Sequence, residues 1–469
     1  MTLHTKLKTY SLAAIMLIGG MLTSCEDDLN VGKEGEGSYT LDGVGVFAIN
    51  QEGKKDMGVF EFREKGTAKL TLKLNQSVSD KLDATLKYDS SILDKYNKEN
   101  ESSYEIFPEE LVSIMDGKAT IESGSKSSAN IDLEIKSNGT LDGSKSYVIP
   151  LLISISSNNK EIENKEASYL IFVKDLTGIP SAEKLAIGDD GKARRVEIVS
   201  CMEMGDTNPL NNLSFTLKNS GKPLVDILVM FSGNVKYNEE EGKVYISINN
   251  PIQHVLDNSE TYLKPLKDRG IKVVMGIMPH HDRVSLMNMN DETARAFVKD
   301  LKIFLDAYDL DGIFWDEEYA SPITPPPLGF VEKNKESLAN MLYEFNRVMP
   351  DKLSMVYDYG VYGLPTIEDK RGGEYITHVL LDYGGGSSIS SYSGLPLSGY
   401  SPYSKQFGYG NTYSGNQLSS MRNNGYCSMI FAMDPYRSSY PNQKYAMEQL
   451  ATYVFNDELV VGDFYKKDY

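Results

Sequence analysis

The sequence predicts an α/β protein: a (β/α)8 TIM barrel preceded by an N-terminal all-β sandwich domain. Three observations carry that expectation. At 469 residues the chain is too long for one ordinary core. Up to about Val173, apolar and polar residues alternate with the period of half-buried strands. Beyond Arg194 short apolar runs alternate with helical patterns, the rhythm of βα units around a parallel sheet.

The first residues stand apart from both domains. Lys6 and Lys8 precede an apolar run over residues 11–18 that continues to Leu22-Thr23-Ser24-Cys25. A basic head and a short apolar segment read as a secretory leader, residues 1–24, too short to serve as a membrane span. Leu-Thr-Ser-Cys resembles the bacterial lipobox, which makes Cys25 the expected lipidation site and gives the membrane a lipid anchor. Glu26-Asp27-Asp28 resembles acidic surface-export signals, so the expected location is the outer membrane, on the cell surface. A cleaved leader followed by a chance cysteine is the alternative. Residues 25–38, acidic and Gly-rich, suit a tether.

Residues 39–174 form the expected β-sandwich. Alternation is clear over 68–74, 131–135 and 147–153, with Gly, Asn and Ser clusters between. The stretches 96–108 and 141–147 resemble a sandwich domain common at the N-terminus of bacterial surface lipoproteins. No catalytic constellation is evident there, and a spacer or accessory binder is expected. Residues 175–193, from Gly178-Ile179-Pro180 to Asp189-Asp190-Gly191, read as a linker.

The barrel is expected over 194–469. Residues 196–201 make a first strand, and the near-continuous apolar run 227–231 a second, as when both sheet faces are covered. A helix over about 252–268 stops at Gly270, a natural C′ residue, and 271–278 is the third strand. The next helix opens near Asn290 or Asp291, both good N-caps, and repeats Ala294, Phe297, Val298, Leu301, Phe304, Leu305 and Tyr308 at helical spacing. It leads into an acidic fourth strand. Leu338, Met341, Leu342, Phe345 and Val348 mark a helix stopped by Pro350, and residues 353–357, 378–381, 405–409 and 427–433 supply four more strands. Eight strands over this length suit one barrel. An open doubly wound sheet lacks its Gly-x-Gly-x-x-Gly turn after the first strand.

Charge and cysteine usage exclude several function classes. A net charge of −18 repels phosphate backbones, so no nucleic-acid partner is expected, while neutral glycans are compatible. A monomer is expected. Cys201 and Cys427 fall on the first and last barrel strands, which are neighbours, and two buried free thiols are preferred to a disulfide. The five histidines show no metal-ligand spacing, so neither metal nor cofactor is expected.

The fourth strand, Asp311-Gly312-Ile313-Phe314-Trp315-Asp316-Glu317-Glu318, carries the chemistry. Alternation puts Phe314, Asp316 and Glu318 on one face and Trp315 on the other. Desolvating carboxylates is costly, so two on one buried face point to a functional site. In a barrel, strand C-termini line that site. Glu317, expected to point outward, fits a salt-bridged acidic loop, and the Pro-rich 321–327 a rigid rim.

Asp-Gly-Ile-Phe-Trp-Asp-Glu-Glu-Tyr resembles the fourth-strand signature of glycoside hydrolase family 18, Asp-Gly-x-Asp-x-Asp-x-Glu, and more particularly the bacterial endo-β-N-acetylglucosaminidases that release N-glycans. Residues 231–238, 255–258, 266–273 and 310–312 are similar to the same enzymes, so the resemblance covers most of 194–469. It implies cleavage between the two GlcNAc residues of an N-glycan core. Glu318 would protonate the glycosidic oxygen and then act as base on water. The substrate's own 2-acetamido carbonyl would attack, giving an oxazolinium intermediate and net retention, and Asp316 would hold the acetamido N–H and stabilise the developing charge. Phe314 stands where the family pattern has an acid, which takes a partner from Asp316 and departs from the chitinase pattern. The resemblance also offers Tyr357, Asp382 and Tyr383, at the ends of the fifth and sixth strands, as substrate contacts, Tyr383 being preferred. His281, after the third strand, is a candidate for the subsites, and Tyr392, Tyr400, Tyr403 and Tyr409 lie on a Gly/Ser-rich stretch suited to sugar stacking. The competing readings are a non-catalytic glycan-binding lipoprotein on a barrel scaffold and a chitinase.

Overall fold

Alternation in the N-terminal half produces two facing sheets. The computed structural model describes residues 44–114, 117–157 and 160–469; the leader, Cys25 and the tether lie outside the described residues. One sheet runs Val46–Asn50, Lys65–Leu74, Ser127–Lys136, Val112–Ile114, and the other Met57–Phe62, Lys160–Asp175, Tyr147–Ser157, Leu82–Tyr88, Lys118–Ile121. Leu70, Leu72, Leu133 and Ile135 from the first sheet meet Ile149, Leu151, Ile153 and Ile171 from the second, as the period of two requires. The helix Ser90–Glu99, capped by the Asp89 side chain, lays Leu93 and Tyr96 against Val148 and Phe172 on the second sheet's outer face.

In the C-terminal half the parallel strands run, in order, Ile198–Glu203, Ile227–Asn238, Lys272–Pro279, Gly312–Trp315, Leu353–Asp358, His378–Leu381, a split seventh, and Ser428–Phe431 beside the first. Val199, Val229, Val274, Phe314, Met355 and Leu380 fill the interior. A second apolar shell, including Trp315 and Phe345, lies between strands and helices. Trp315 meets Phe345 edge-on at 5.2 Å, so the expected faces of the fourth strand are observed. Gly312 is needed there because a Cβ would stand 2.1 Å from the Leu353 carbonyl oxygen. The Asn290 side chain caps the helix Asp291–Ala307, accepting from Thr293 N at 2.9 Å.

Several expectations need correction. The seventh strand is not continuous over 405–409: Tyr400–Ser401 pairs with the sixth strand, Lys405–Gln406 with the eighth, and Phe407–Tyr409 is a 3-10 turn. Pro402 lies in the break and has no N–H for a ladder. Side chains help close the gap: Ser401 Oγ accepts from Met429 N, and Ser428 Oγ donates to Tyr403 O. The helix over 252–268 is three pieces, Asn250–Asp257, Ser259–Tyr262 and Lys264–Lys267, because Asn258 ends the first and Pro265 cannot continue the second. No α-helix follows the fifth or sixth strand: the Gly- and Pro-rich connection after the fifth is irregular, and the one after the sixth carries only 3-10 turns. Cys201 and Cys427 are buried free thiols; the register sets Cys201 opposite Phe431, four residues beyond Cys427, roughly 13 Å along the strand.

The stretch read as a linker is built into the barrel. Its Leu185–Ile187 and Ala193–Arg195 form a hairpin, Ala182 and Ala186 enter the barrel's apolar shell, and Lys184 Nζ reaches Asp226 at 2.7 Å with both side chains buried. The sandwich packs on the barrel's N-terminal end around an open cavity of about 840 Å3 that includes Glu61, Arg195 and Lys272. Lys272 pairs with Glu61 at 3.1 Å across that gap. Asp351, just before the fifth strand, accepts from Tyr104 Oη at 2.6 Å and Ser146 Oγ at 2.7 Å, and Tyr96 Oη donates to the Arg347 carbonyl at 2.6 Å. Burial raises the Asp351 carboxyl, but the ammonium groups of Lys174 and Lys352 and these two hydroxyls outweigh it, so it sits below its ordinary range.

Replacing Asp351 by alanine should cost about 3 kcal/mol, because two hydroxyls and an ammonium lose a buried acceptor. Urea unfolding measures this. The native carboxyl is depressed, so its contribution is complete above the unfolded-state range and fades as acid protonates it, and the difference from the variant should shrink at low pH.

Candidate active site

The fourth strand ends at Trp315, and the next three residues turn out over the barrel mouth. The Asp316 amide still donates to Ile277 O at 3.0 Å, which keeps its side chain on the interior face above Phe314. Asp316 is 3% exposed, and its Oδ1 has no hydrogen-bond partner. Burial, then the charges of Glu318, Glu317 and Asp382, push its carboxyl well above the ordinary range. Glu318 is half-buried and raised by burial and by Asp382, against a hydrogen bond from Tyr319. A carboxyl with a raised pKa beside a buried one whose oxygen lacks a partner suits a proton donor beside a group awaiting a ligand.

The floor below them is aromatic. Phe314 stacks on Tyr357 at 5.8 Å and meets Phe231 edge-on at 6.2 Å, and Tyr357 in turn contacts Phe431 and Tyr359. Tyr357 Oη donates to Asp382 Oδ1 at 2.5 Å, while Asp382 Oδ2 accepts from Gly384 N at 2.8 Å. Tyr383, 43% exposed, packs edge-on against Phe431 at 5.7 Å and Tyr409 at 6.2 Å. The structure thus brings Asp316, Glu318, Tyr357, Asp382 and Tyr383 to one mouth. His281 is at the rim: it is exposed, its amide donates to Tyr319 O at 3.0 Å, and its ring is 5.7 Å from that of Tyr319. Tyr392, by contrast, is fully buried, its hydroxyl accepting from Gly363 N, so it offers no face to a sugar.

Two features were not legible beforehand. Phe231, within the second strand, and Phe431, at the end of the eighth, complete the floor. Glu317 does not point outward to solvent. It is 6% exposed, and besides its ion pair with Lys333 at 2.7 Å it accepts from Ser285 Oγ and Leu286 N. Among the described residues, no group of three or more His, Cys, Asp or Glu side chains is placed to hold a metal ion.

A parallel barrel whose fourth strand leads into two such carboxyls over an aromatic floor has the arrangement of a glycoside hydrolase. The comparisons narrow this. The chain is 42% identical over 295 residues to endo-beta-N-acetylglucosaminidase F1 of Elizabethkingia meningoseptica, a match spanning 62% of this chain and 87% of the relative. It is 26% identical over 163 residues, 34% of this chain and 50% of the other, to an endo-beta-N-acetylglucosaminidase of Flavobacterium sp. (strain SK1022). Two crystal structures of EndoBT-3987 from Bacteroides thetaiotamicron match with TM-scores of 0.79 and 0.71, at 28% and 26% identity, each over 90% of this chain and 97% of the other. One holds a Man5GlcNAc product and the other a Man9GlcNAc2Asn substrate. A family model described as an N-terminal domain matches residues 41–160. The chain belongs to the endo-β-N-acetylglucosaminidases, enzymes of glycoside hydrolase family 18 type.

The raised Glu318 carboxyl gives a pH prediction. Asp382→Asn removes a negative charge that holds the Glu318 proton, so its pKa should fall. Because the acid must be protonated to act, the alkaline limb of the kcat/KM profile should move to lower pH. A limb that stays in place or moves upward would refute the coupling.

Proposed function

We propose that the barrel hydrolyses the β-1,4 bond between the two GlcNAc residues of an N-glycan core, with retention and with the substrate's acetamido group as nucleophile. The observation that carries this reading is the unpartnered Oδ1 of buried Asp316, two residues from a half-buried Glu318 whose carboxyl is raised by burial and by Asp382. An acetamido N–H is the donor that such an oxygen lacks. Glu318 gives its proton to the glycosidic oxygen as the C1–O bond breaks. The acetamido carbonyl oxygen closes on C1, and Asp316 takes up the positive charge that spreads onto the ring nitrogen. In the second step Glu318, now a carboxylate, draws a proton from water as water opens the ring. Asp316 itself is shielded from water, so its field on the developing charge is little screened. Tyr383 and Tyr357 supply hydroxyls at the same mouth, Asp382 orients Tyr357, and His281 lines the outer subsites. The Man9GlcNAc2Asn complex of the structural relative supports an N-glycan as substrate.

A mass-spectrometric digest tests this against both competitors. Incubation with a high-mannose glycoprotein should leave one GlcNAc on asparagine, and chitin oligomers should stay intact. Chitin cleavage alone would favour a chitinase, and no cleavage of either substrate a binding protein. Glu318→Gln should lower kcat by about 10³-fold and leave glycan binding in place. Wild-type turnover in that variant would refute the acid role.

The protein is further proposed to act as a monomer anchored in the outer membrane by lipid on Cys25, with the sandwich as a spacer beneath the barrel. Cys25→Ala should move it from the membrane fraction to the soluble one and abolish fatty-acid labelling. Unchanged membrane retention would overturn the anchor.

A further inference from the structure

Glu317 lies between the two proposed catalytic carboxyls, and the reaction just described gives it no task. Its surroundings are unusual for a bystander. Both carboxylate oxygens are engaged: Oε1 accepts from Ser285 Oγ at 2.5 Å and pairs with Lys333 Nζ at 2.7 Å, and Oε2 accepts from Leu286 N at 2.7 Å. Ser285 and Leu286 belong to the loop after the third strand, Lys333 to the loop after the fourth. Residues 284–289 are all buried, and the loop is braced within itself, Ser285 Oγ accepting from Met287 N and Asn288 Oδ1 from Ser285 N.

The third strand holds the backbone before Glu318, and the loop that follows it holds the backbone after. The Asp316 amide donates to Ile277 O, the His281 amide to Tyr319 O at 3.0 Å, and the Ser321 amide to Asp282 O at 2.8 Å. Tyr319 and His281 both have positive φ, 57° and 51°, a conformation that non-glycine residues keep only when their surroundings hold it. Glu318 is therefore suspended between two pinned peptides, and the side chain next to it carries the bonds that seat the pinning loop.

We propose that Glu317 is the positioning residue of the general acid: its buried carboxylate clamps the third-strand loop to the catalytic strand and so sets the direction of Glu318. The inference rests on the catalytic role given to Glu318 above. A carboxylate suits the task because it accepts from a hydroxyl, an amide and an ammonium at once, and a one-ångström drift of the acid would spoil proton transfer.

The full-length protein tests this with Glu317→Gln, Glu317→Ala and Ser285→Ala. Fluorescence of Trp315, the single tryptophan and buried on the same strand, reports whether each variant is folded. On a high-mannose glycoprotein, kcat should fall at least about tenfold in Glu317→Gln and further in Glu317→Ala, with KM within about twofold of wild type. Glutamine keeps a carbonyl acceptor for Leu286 N and should rescue part of the loss. Ser285→Ala should reproduce part of it, and the double variant Ser285→Ala/Glu317→Gln should lose less than the product of the two single losses. Hydrogen exchange over residues 281–290, measured without substrate, should quicken in every variant. Wild-type kcat in folded Glu317→Gln, a loss confined to KM, multiplicative losses in the double variant, or unchanged exchange would each overturn the proposal. Should Glu317→Gln not fold, wild-type kcat and exchange in Ser285→Ala would overturn it as well. An inactive wild type whose loop still loosens in the variants would count against the catalytic reading and leave the clamp standing.

Discussion

A buried carboxylate with no cation beside it is the constraint on which the mouth of this barrel depends. Asp316 is almost wholly removed from water, and the charges that act on it are those of Glu318, Glu317 and Asp382, while the Lys333 ammonium pairs with Glu317. Such a charge is tolerated only where something else stabilises it or where the group is neutral until a ligand arrives. Around Asp316 the alternatives have been removed. Its neighbour one turn of the pleat below is Phe314, itself flanked by Phe231 and Tyr357, and the other acids within reach, Glu318 and Asp382, are of like sign. The unfavourable field is concentrated where a substrate amide and a developing cation would relieve it.

Placing that charge requires rigid surroundings, and the rim loops get their rigidity from acids of another kind. Glu317, just past the fourth strand, accepts from the loop after the third. Asp358, fully buried at the end of the fifth strand, accepts from Tyr362 N on its own loop and Ser387 N on the next. Asp434 follows the eighth strand and accepts from Tyr436 N. Each gives rim-loop amides an acceptor and so ties the loop to the strand end. Tyr359, Tyr362 and Tyr383 are displayed at the mouth by loops fixed in this way.

What could be read in advance follows from the range of the forces involved. Period-two alternation is local, so the facing of Phe314 and Trp315, the Asp316–Glu318 pair and the sandwich strands were all legible in the sequence. So was the Asn290 cap, which needs only three residues. The break in the seventh strand was not, because two-residue pairings carry no period and depend on neighbours far along the chain. Glu317 looked like a solvent acid because its partners, Ser285 and Leu286, lie 32 and 31 residues away. The missing helices after the fifth and sixth strands are explained by Gly- and Pro-rich composition, a signal present in the chain and outweighed by the expectation of a regular repeat.

Lys184 has a consequence for how the two halves of this molecule can be separated. It belongs by sequence to the polar stretch between domains, yet its ammonium is the counter-charge of Asp226 inside the barrel wall, and Asp226 Oδ2 also receives the Ile198 amide that starts the first strand. A barrel excised at residue 194 would carry a buried aspartate stripped of its cation, a defect of about 3–5 kcal/mol by the usual cost of orphaning one member of such a pair. The inheritable unit is therefore longer than the repeating βα pattern suggests, and any fusion or domain exchange that respects energetics must take the hairpin along with the barrel.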